Sequence, residues 1–159
     1  MIEPTSSAVL SEDGIYRYKL ERKWGPDPSN IVGFIMLNPS IADGESNDPT
    51  MTRVINFARS WGFDGVIVCN LYAYITPQRE LLTQVDDPVG PENEAYVRAL
   101  VDECSTIVYG WGNDGREPQW LRDLVSSPFC LAMNQGGQPK HPLYIRGDAI
   151  MIPYVRNNN

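Results

Sequence analysis

A chain of 159 residues with 42% hydrophobic and 21% charged residues has the length of one domain, enough to bury roughly two-thirds of its unfolded surface. No apolar run approaches the ~20 residues that span a bilayer, and the start MIEPTSSAVLSEDG carries neither the basic nor the apolar region of a secretory leader. A net charge of −7 argues against holding extended duplexes, which takes a basic face that neutralises phosphates.

Residues 15–23 alternate Tyr16, Tyr18 and Leu20 with Arg17 and Lys19, the period of a half-exposed strand. The basic cluster of Arg17, Lys19, Arg22 and Lys23 is either a solvated strand face or a small patch for a phosphate or a short or single-stranded nucleic acid. A turn-rich loop follows at 24–29. Residues 31–37 form a continuous apolar run, expected of a strand buried on both faces. Asp48 suits a helix N-cap, Pro49 the first helical position and Gly62 the stop. Between them Met51, Val54, Ile55, Ala58 and Trp61 recur at helical spacing. Residues 65–71 read as the next buried strand, ending near Asn70. After a long connection with a short helix near 78–82, the pattern continues with a helix at 91–103, a strand at 106–109, a helix at 118–125 and a strand at 129–133.

Strands alternating with helices imply βαβ units and right-handed crossovers. The expected fold is α/β: a three-layer sandwich on a central, mostly parallel four-stranded sheet, with the N-terminal strand added at an edge. It is one domain over residues 1–156, with a disordered tail at 157–159.

In such a sheet, ligands bind at the carboxyl ends of the strands, where loops are free to carry chemistry. Three loops lie there. The first is Asn38-Pro39-Ser40 with Asp43, the second Gly110-Trp111-Gly112-Asn113, and the third runs from Asn134 to His141-Pro142. Asn38 has the donor and acceptor that read an amide-like edge such as a nucleobase, or it is a turn residue bonding its own backbone. Pro39 stiffens the loop. The glycines around Trp111 permit close backbone approach to a ligand, and the indole either stacks on a planar ring or packs in the core. Asp43 is the candidate for activating water and Glu45 a weaker one, whereas Asp48 reads as a cap. His141, the only histidine, precedes a proline and so sits in extended backbone, as a ligand contact or as a structural hydrogen-bond partner.

Cys69, Cys104 and Cys130 are odd in number and widely spaced, as for buried reduced thiols of a cytoplasmic protein, and no pair has metal-ligand spacing. No G-x-G-x-x-G, P-loop or G-x-S-x-G motif is present, which disfavours nicotinamide chemistry, P-loop phosphoryl transfer and a hydrolase triad. No metal or cofactor is expected.

The pieces YRYKLERKWG, IMLNPSIADG, NDPTMTRVINFARSWGF, NLYAY, DPVGPEN, WG and PKHPLYI, in this order, resemble the domain of unknown function 1643 family of bacteria and their phages. A more distant similarity is to mismatch-specific uracil-DNA glycosylases, which also have a strand ending in an Asn-Pro loop and a late loop that contacts the base or DNA. By that resemblance Asn38-Pro39-Ser40 matches the first loop and His141-Pro142 the late one.

The residues together suggest a pocket for a nucleobase- or nucleotide-containing small molecule, with possible N-glycosidic hydrolysis. Asn38 would orient the base and Trp111 stack on it, with Pro39, Ser40 and Asn113 completing the pocket. Asp43 would position water and His141 stabilise a leaving group or phosphate. The alternative is a non-catalytic protein of phage or bacterial origin that binds or sequesters a nucleotide, or an interaction protein.

Overall fold

The computed structural model describes residues 4–40, 42, 44 and 46–156. Among them the chain forms β1 (Thr5–Leu10), β2 (Arg17–Lys23), β3 (Ile31–Met36), α1 (Pro49–Ser60), β4 (Gly65–Asn70), α2 (Asn93–Glu103), β5 (Thr106–Tyr109), α3 (Gln119–Leu124), β6 (Phe129–Cys130) and β7 (Ile152–Pro153). A 3-10 turn at Arg79–Thr83 stands where a short helix is expected, and another at Pro142–Tyr144 follows His141.

All seven strands lie in one sheet of order β1-β2-β4-β3-β5-β6-β7. The pairings β3–β4, β3–β5 and β5–β6 are parallel, while β1–β2, β2–β4 and β6–β7 are antiparallel. The fold is α/β, but the four-stranded, mostly parallel sheet with one added strand is corrected to a seven-stranded mixed sheet. The N-terminal segment supplies two strands, so β2 is interior and β1 is the edge. Chain reversal at Gly14 (φ +77°) joins them, a left-handed position that glycine fills without strain.

Two apolar clusters lie on opposite faces of the sheet. Val32, Phe34, Met36, Val66, Val68 and Val108 pack against Met51, Val54 and Ala58 of α1. Ile31, Ile35, Ile67, Cys69, Ile107 and Tyr109 pack against Val97 and Leu100 of α2 and Leu121 of α3. Strand residues thus alternate strictly between faces, both dry, which explains the continuous apolar runs. Gly33 lets α2 approach closely, since a Cβ there would meet Leu100 Cδ2 at 2.6 Å.

The crossovers set the site. From β3 the chain passes through α1 on one face to β4; from β4 it returns through α2 on the other face to β5, on the far side of β3. The strand order therefore reverses between β3 and β5, and loops leaving their carboxyl ends part to opposite faces. The crevice that results is the topological switch point of the sheet.

β2 carries an irregularity with a consequence for that crevice. Opposite β1, Val9 pairs with Lys19 but Leu10 pairs with Arg17, leaving Tyr18 as an extra residue. Tyr18 stacks on Tyr96 of α2 at 5.2 Å, and Lys19 ion-pairs with Glu103 at the end of the same helix. Two successive side chains thus serve one face, and Arg17 is turned to the α1 face, as a β-bulge re-aims its neighbours.

Candidate functional site

A cavity of about 810 Å³ opens at the switch point, above the α1 face. Its size is that of a small-molecule site. Asn38, Ser40, Asn113 and His141, from three loops far apart in sequence, all border it.

Asn38 follows β3 and is held rigidly. Its Nδ2 donates to the carbonyls of Pro39 (3.0 Å) and Thr76 (2.8 Å). Both partners are pure acceptors, so the amide orientation is fixed and Oδ1 is left as an acceptor beside the cavity. Pro39 does not border the cavity; its carbonyl also receives the Thr76 N–H at 3.0 Å, stitching the β3 loop to the β4 loop. Asn38 therefore spends its donors inside the protein and offers only an acceptor.

The complementary donor is Asn70, the last residue of β4, which sequence reasoning did not single out as a site residue. Met36 and Asn70 are in register across β3 and β4, so Asn70 points to the same face as Met36. It borders the cavity, is 2% exposed, and its Nδ2 has no hydrogen-bond partner. Its backbone carbonyl is fixed by Asn93 Nδ2 at 2.8 Å. An unmet buried donor costs about 1–3 kcal/mol. A polar residue closing an apolar run was the available signal, the same one that marks Asn38.

Asp48 is a cap. Oδ1 accepts the Met51 N–H at 2.8 Å and Oδ2 the Ala42 N–H at 3.3 Å, so neither oxygen is free to act as a base. Asp43 and Glu45 lie outside the described residues.

Trp111 also borders the cavity, and of its two expected places its burial favours the core. Its indole is 1% exposed, packs on Tyr109 at 4.3 Å and edge-on to Tyr154, and donates Nε1–H to Gln138 Oε1 at 2.9 Å. These contacts leave little of the ring for stacking. The cause is strand parity: Ile107, Tyr109 and Trp111 continue one face of β5 into the α2/α3 core. The flanking glycines also serve packing, since a Cβ on Gly110 would lie 3.0 Å from Met36 Sδ. Gly112 adopts φ +78°, a turn open to glycine. The open aromatic on the cavity border is Tyr144 instead, 70% exposed, with its ring 6.1 Å from that of His141.

His141 Nδ1 accepts the Leu143 N–H at 3.2 Å. That contact requires an unprotonated Nδ1, so the neutral imidazole carries its proton on Nε2 and presents a donor. Burial, helped by the Arg79 guanidinium and opposed by the Asp48 carboxylate, holds its pKa below the ordinary 6.5. The rim is closed by Asn134 Nδ2 donating to Asn113 Oδ1 at 2.8 Å and by the Arg79–Asp114 ion pair at 3.0 Å.

The N-terminal basic cluster is not one surface patch. Arg17 and Arg22 are buried, Arg17 donating to the Ala42 carbonyl and Arg22 to Asn47 Oδ1 and the Ser46 carbonyl. Lys19 and Lys23 both pair with Glu21. Burial pushes the thiols of Cys69 and Cys104 up to about 12 and that of Cys130 to about 11, so none is a ready nucleophile. Among the described residues no group of three or more His, Cys, Asp or Glu side chains could hold a metal ion, and no helix is long and apolar enough to cross a membrane.

The class is that of an α/β protein with a mixed sheet and a cavity at its switch point. The chain belongs to the family described as Protein of unknown function (DUF1643), which it matches over residues 17–143. That span includes every residue of the cavity discussed above except Tyr144. No curated protein and no solved structure matches the chain significantly.

Proposed function

We propose that this protein binds a nucleobase-containing small molecule in the switch-point cavity. The observation that carries the reading is the pair formed by Asn38 and Asn70. One presents an acceptor locked by two backbone carbonyls and the other a buried donor with no partner, from adjacent strand ends on one face of the sheet. Such a pair complements the donor–acceptor edge that every nucleobase displays. Tyr144 supplies the exposed ring face that stacking on a base requires.

Binding is favoured over hydrolysis. Both Asp48 oxygens are committed to the helix cap and its loop, and of the other carboxylates on the cavity border Asp114 is held by Arg79. The protein is then a nucleotide-binding or sequestering factor, and hydrolysis of an N-glycosidic bond would rest on Asp43.

The test is a thermal-shift panel of the common nucleobases and nucleosides, with sugars and amino acids as controls. A ligand that prefers the native state at 100 times its Kd adds about 2.7 kcal/mol, a shift of several degrees. Nucleosides should raise Tm, and Asn38→Ala should flatten the preference among them. No response to any base or nucleoside at millimolar concentration would overturn the reading. Release of free base during prolonged incubation would show hydrolysis in addition to binding.

A further inference from the structure

We propose that the cavity carries a phosphate subsite formed by Lys140, Arg79 and the Nε2–H of His141, so that the ligand is a nucleotide rather than a free base or nucleoside. This rests on the base-binding reading above and adds the charged half of the ligand. All three residues border the same cavity, although they come from the β4–α2 connection and the segment after β6. The Gly112–Asp114 turn gathers them. A Cβ on Gly112 would lie 3.8 Å from His141 Cβ, and the Gly112 N–H donates to the Pro139 carbonyl, which places Lys140 and His141 against that turn. Arg79 is tied to Asp114 of the same turn at 3.0 Å.

Each group is free to take an anion. Lys140 has no ion pair among the described residues, and its backbone N–H is fixed to the Ala132 carbonyl. Arg79 and Asp114 are both more than half exposed, and an ion pair so exposed is weak enough to exchange Asp114 for phosphate oxygens. The guanidinium then gains a planar, bidentate partner suited to its fork. His141 uses Nδ1 internally and has only the Nε2–H to give. The cavity border balances Arg17, Arg79 and Lys140 against Asp48, Glu80 and Asp114. In a chain of net charge −7 it is therefore less negative than the molecule as a whole, and the three donors named above supply the local attraction an anion needs.

The experiment compares each ribonucleoside with its 5′-monophosphate, and both with inorganic phosphate, by calorimetric titration of the full chain at low and high salt. The monophosphate is expected to bind at least tenfold more tightly than the nucleoside, with the advantage shrinking as salt rises. In Lys140→Gln and in Arg79→Gln that advantage should fall toward the nucleoside value, and the ligand-free Tm of each variant reports that it is folded. Equal affinity of nucleoside and monophosphate would overturn the phosphate subsite and leave the base reading standing. Binding of inorganic phosphate lost in Lys140→Gln, with nucleosides silent, would keep the subsite and remove the base. An advantage that survives both substitutions would place the phosphate elsewhere and overturn the assignment.

Discussion

At the scale of single residues, the cavity is marked by polar groups that the fold holds without satisfying. Asn70 Nδ2 is buried and unpaired in a strand end that is otherwise dry. Replacing it by an apolar residue of similar shape removes the desolvation cost, so Asn70→Leu should leave chemical stability unchanged or raise it by about 1 kcal/mol while abolishing nucleoside binding. Denaturant unfolding and calorimetry read the two effects separately. Asp48 behaves in the opposite way. Asp48→Ala should lose about 0.5–2 kcal/mol and Asp48→Asn much less, because asparagine caps as well as aspartate does; equal losses would make its charge, not its cap geometry, the stabilising feature. Trp111→Ala should cost about 3–5 kcal/mol as a buried aromatic truncation, a large stability loss where a stacking platform would show a binding loss. Asp48 and Pro49 were legible in sequence because capping is decided within four residues. The place of Trp111 stays open in sequence because it depends on counting strand parity past the end of β5, where the sequence changes to loop composition.

Among elements, two devices position the site from a distance. The bulge in β2 gives Tyr18 and Lys19 to α2 and Arg17 to the α1 face. Deleting Tyr18 should restore regular pairing and keep Arg17 on the α1 face, where it alternates with Lys19, while the stack on Tyr96 is lost; a crystal structure with Arg17 moved to the α2 face would contradict this. The second device is the C-terminal segment. Arg156 makes a bidentate pair with Glu117 (2.8 Å for both contacts), and Glu117 also accepts the Tyr109 hydroxyl at 2.6 Å. This pair holds Tyr154 against Tyr109 and Trp111. Arg156→Ala leaves the Glu117 carboxylate buried without its cation, and breaking a buried pair in this way costs about 3–5 kcal/mol. Amides of β7 should exchange hydrogen markedly faster in that variant; unchanged exchange would show that β7 is held by its ladder alone. The helix α1 and the strands β3 and β4 could be read from periodicity, since their signals are local. The bulge, the two-residue β6 and β7, and the split of the N-terminal segment into two strands could not. Each is defined by its pairing partner rather than by its own composition.

For the whole molecule, the sheet's mixed pairing places the parallel strands in the middle and antiparallel strands at both sides, so the switch point falls near the centre with loops converging from both faces. His141 gives this arrangement a pH signature. Its folded pKa is lowered, so between that value and the ordinary 6.5 the unfolded chain binds a proton that the folded chain refuses. Its contribution to stability is therefore complete above about pH 6.5 and is lost as pH falls through the folded value. Protonation also replaces the Nδ1 acceptor of the Leu143 N–H by a second donor. As the chain has one histidine, the decline in Tm as pH falls below the ordinary 6.5 should be reduced in His141→Gln; an identical slope in the variant would assign it to carboxylates instead.

The central claim is that Asn38 and Asn70 together read a base edge, and side-chain amide NMR tests it most directly. In a ¹⁵N-labelled sample titrated with a nucleoside, the Nδ2 protons of Asn70 should move strongly downfield as the donor gains its partner. Those of Asn38 should move little, because they remain bonded to Pro39 and Thr76. Saturable shifts of the Asn70 amide are the predicted result, differing between nucleosides in the native chain and becoming alike in Asn38→Ala. A nucleoside that binds while the Asn70 amide stays fixed, or that perturbs only residues outside the cavity, would contradict it.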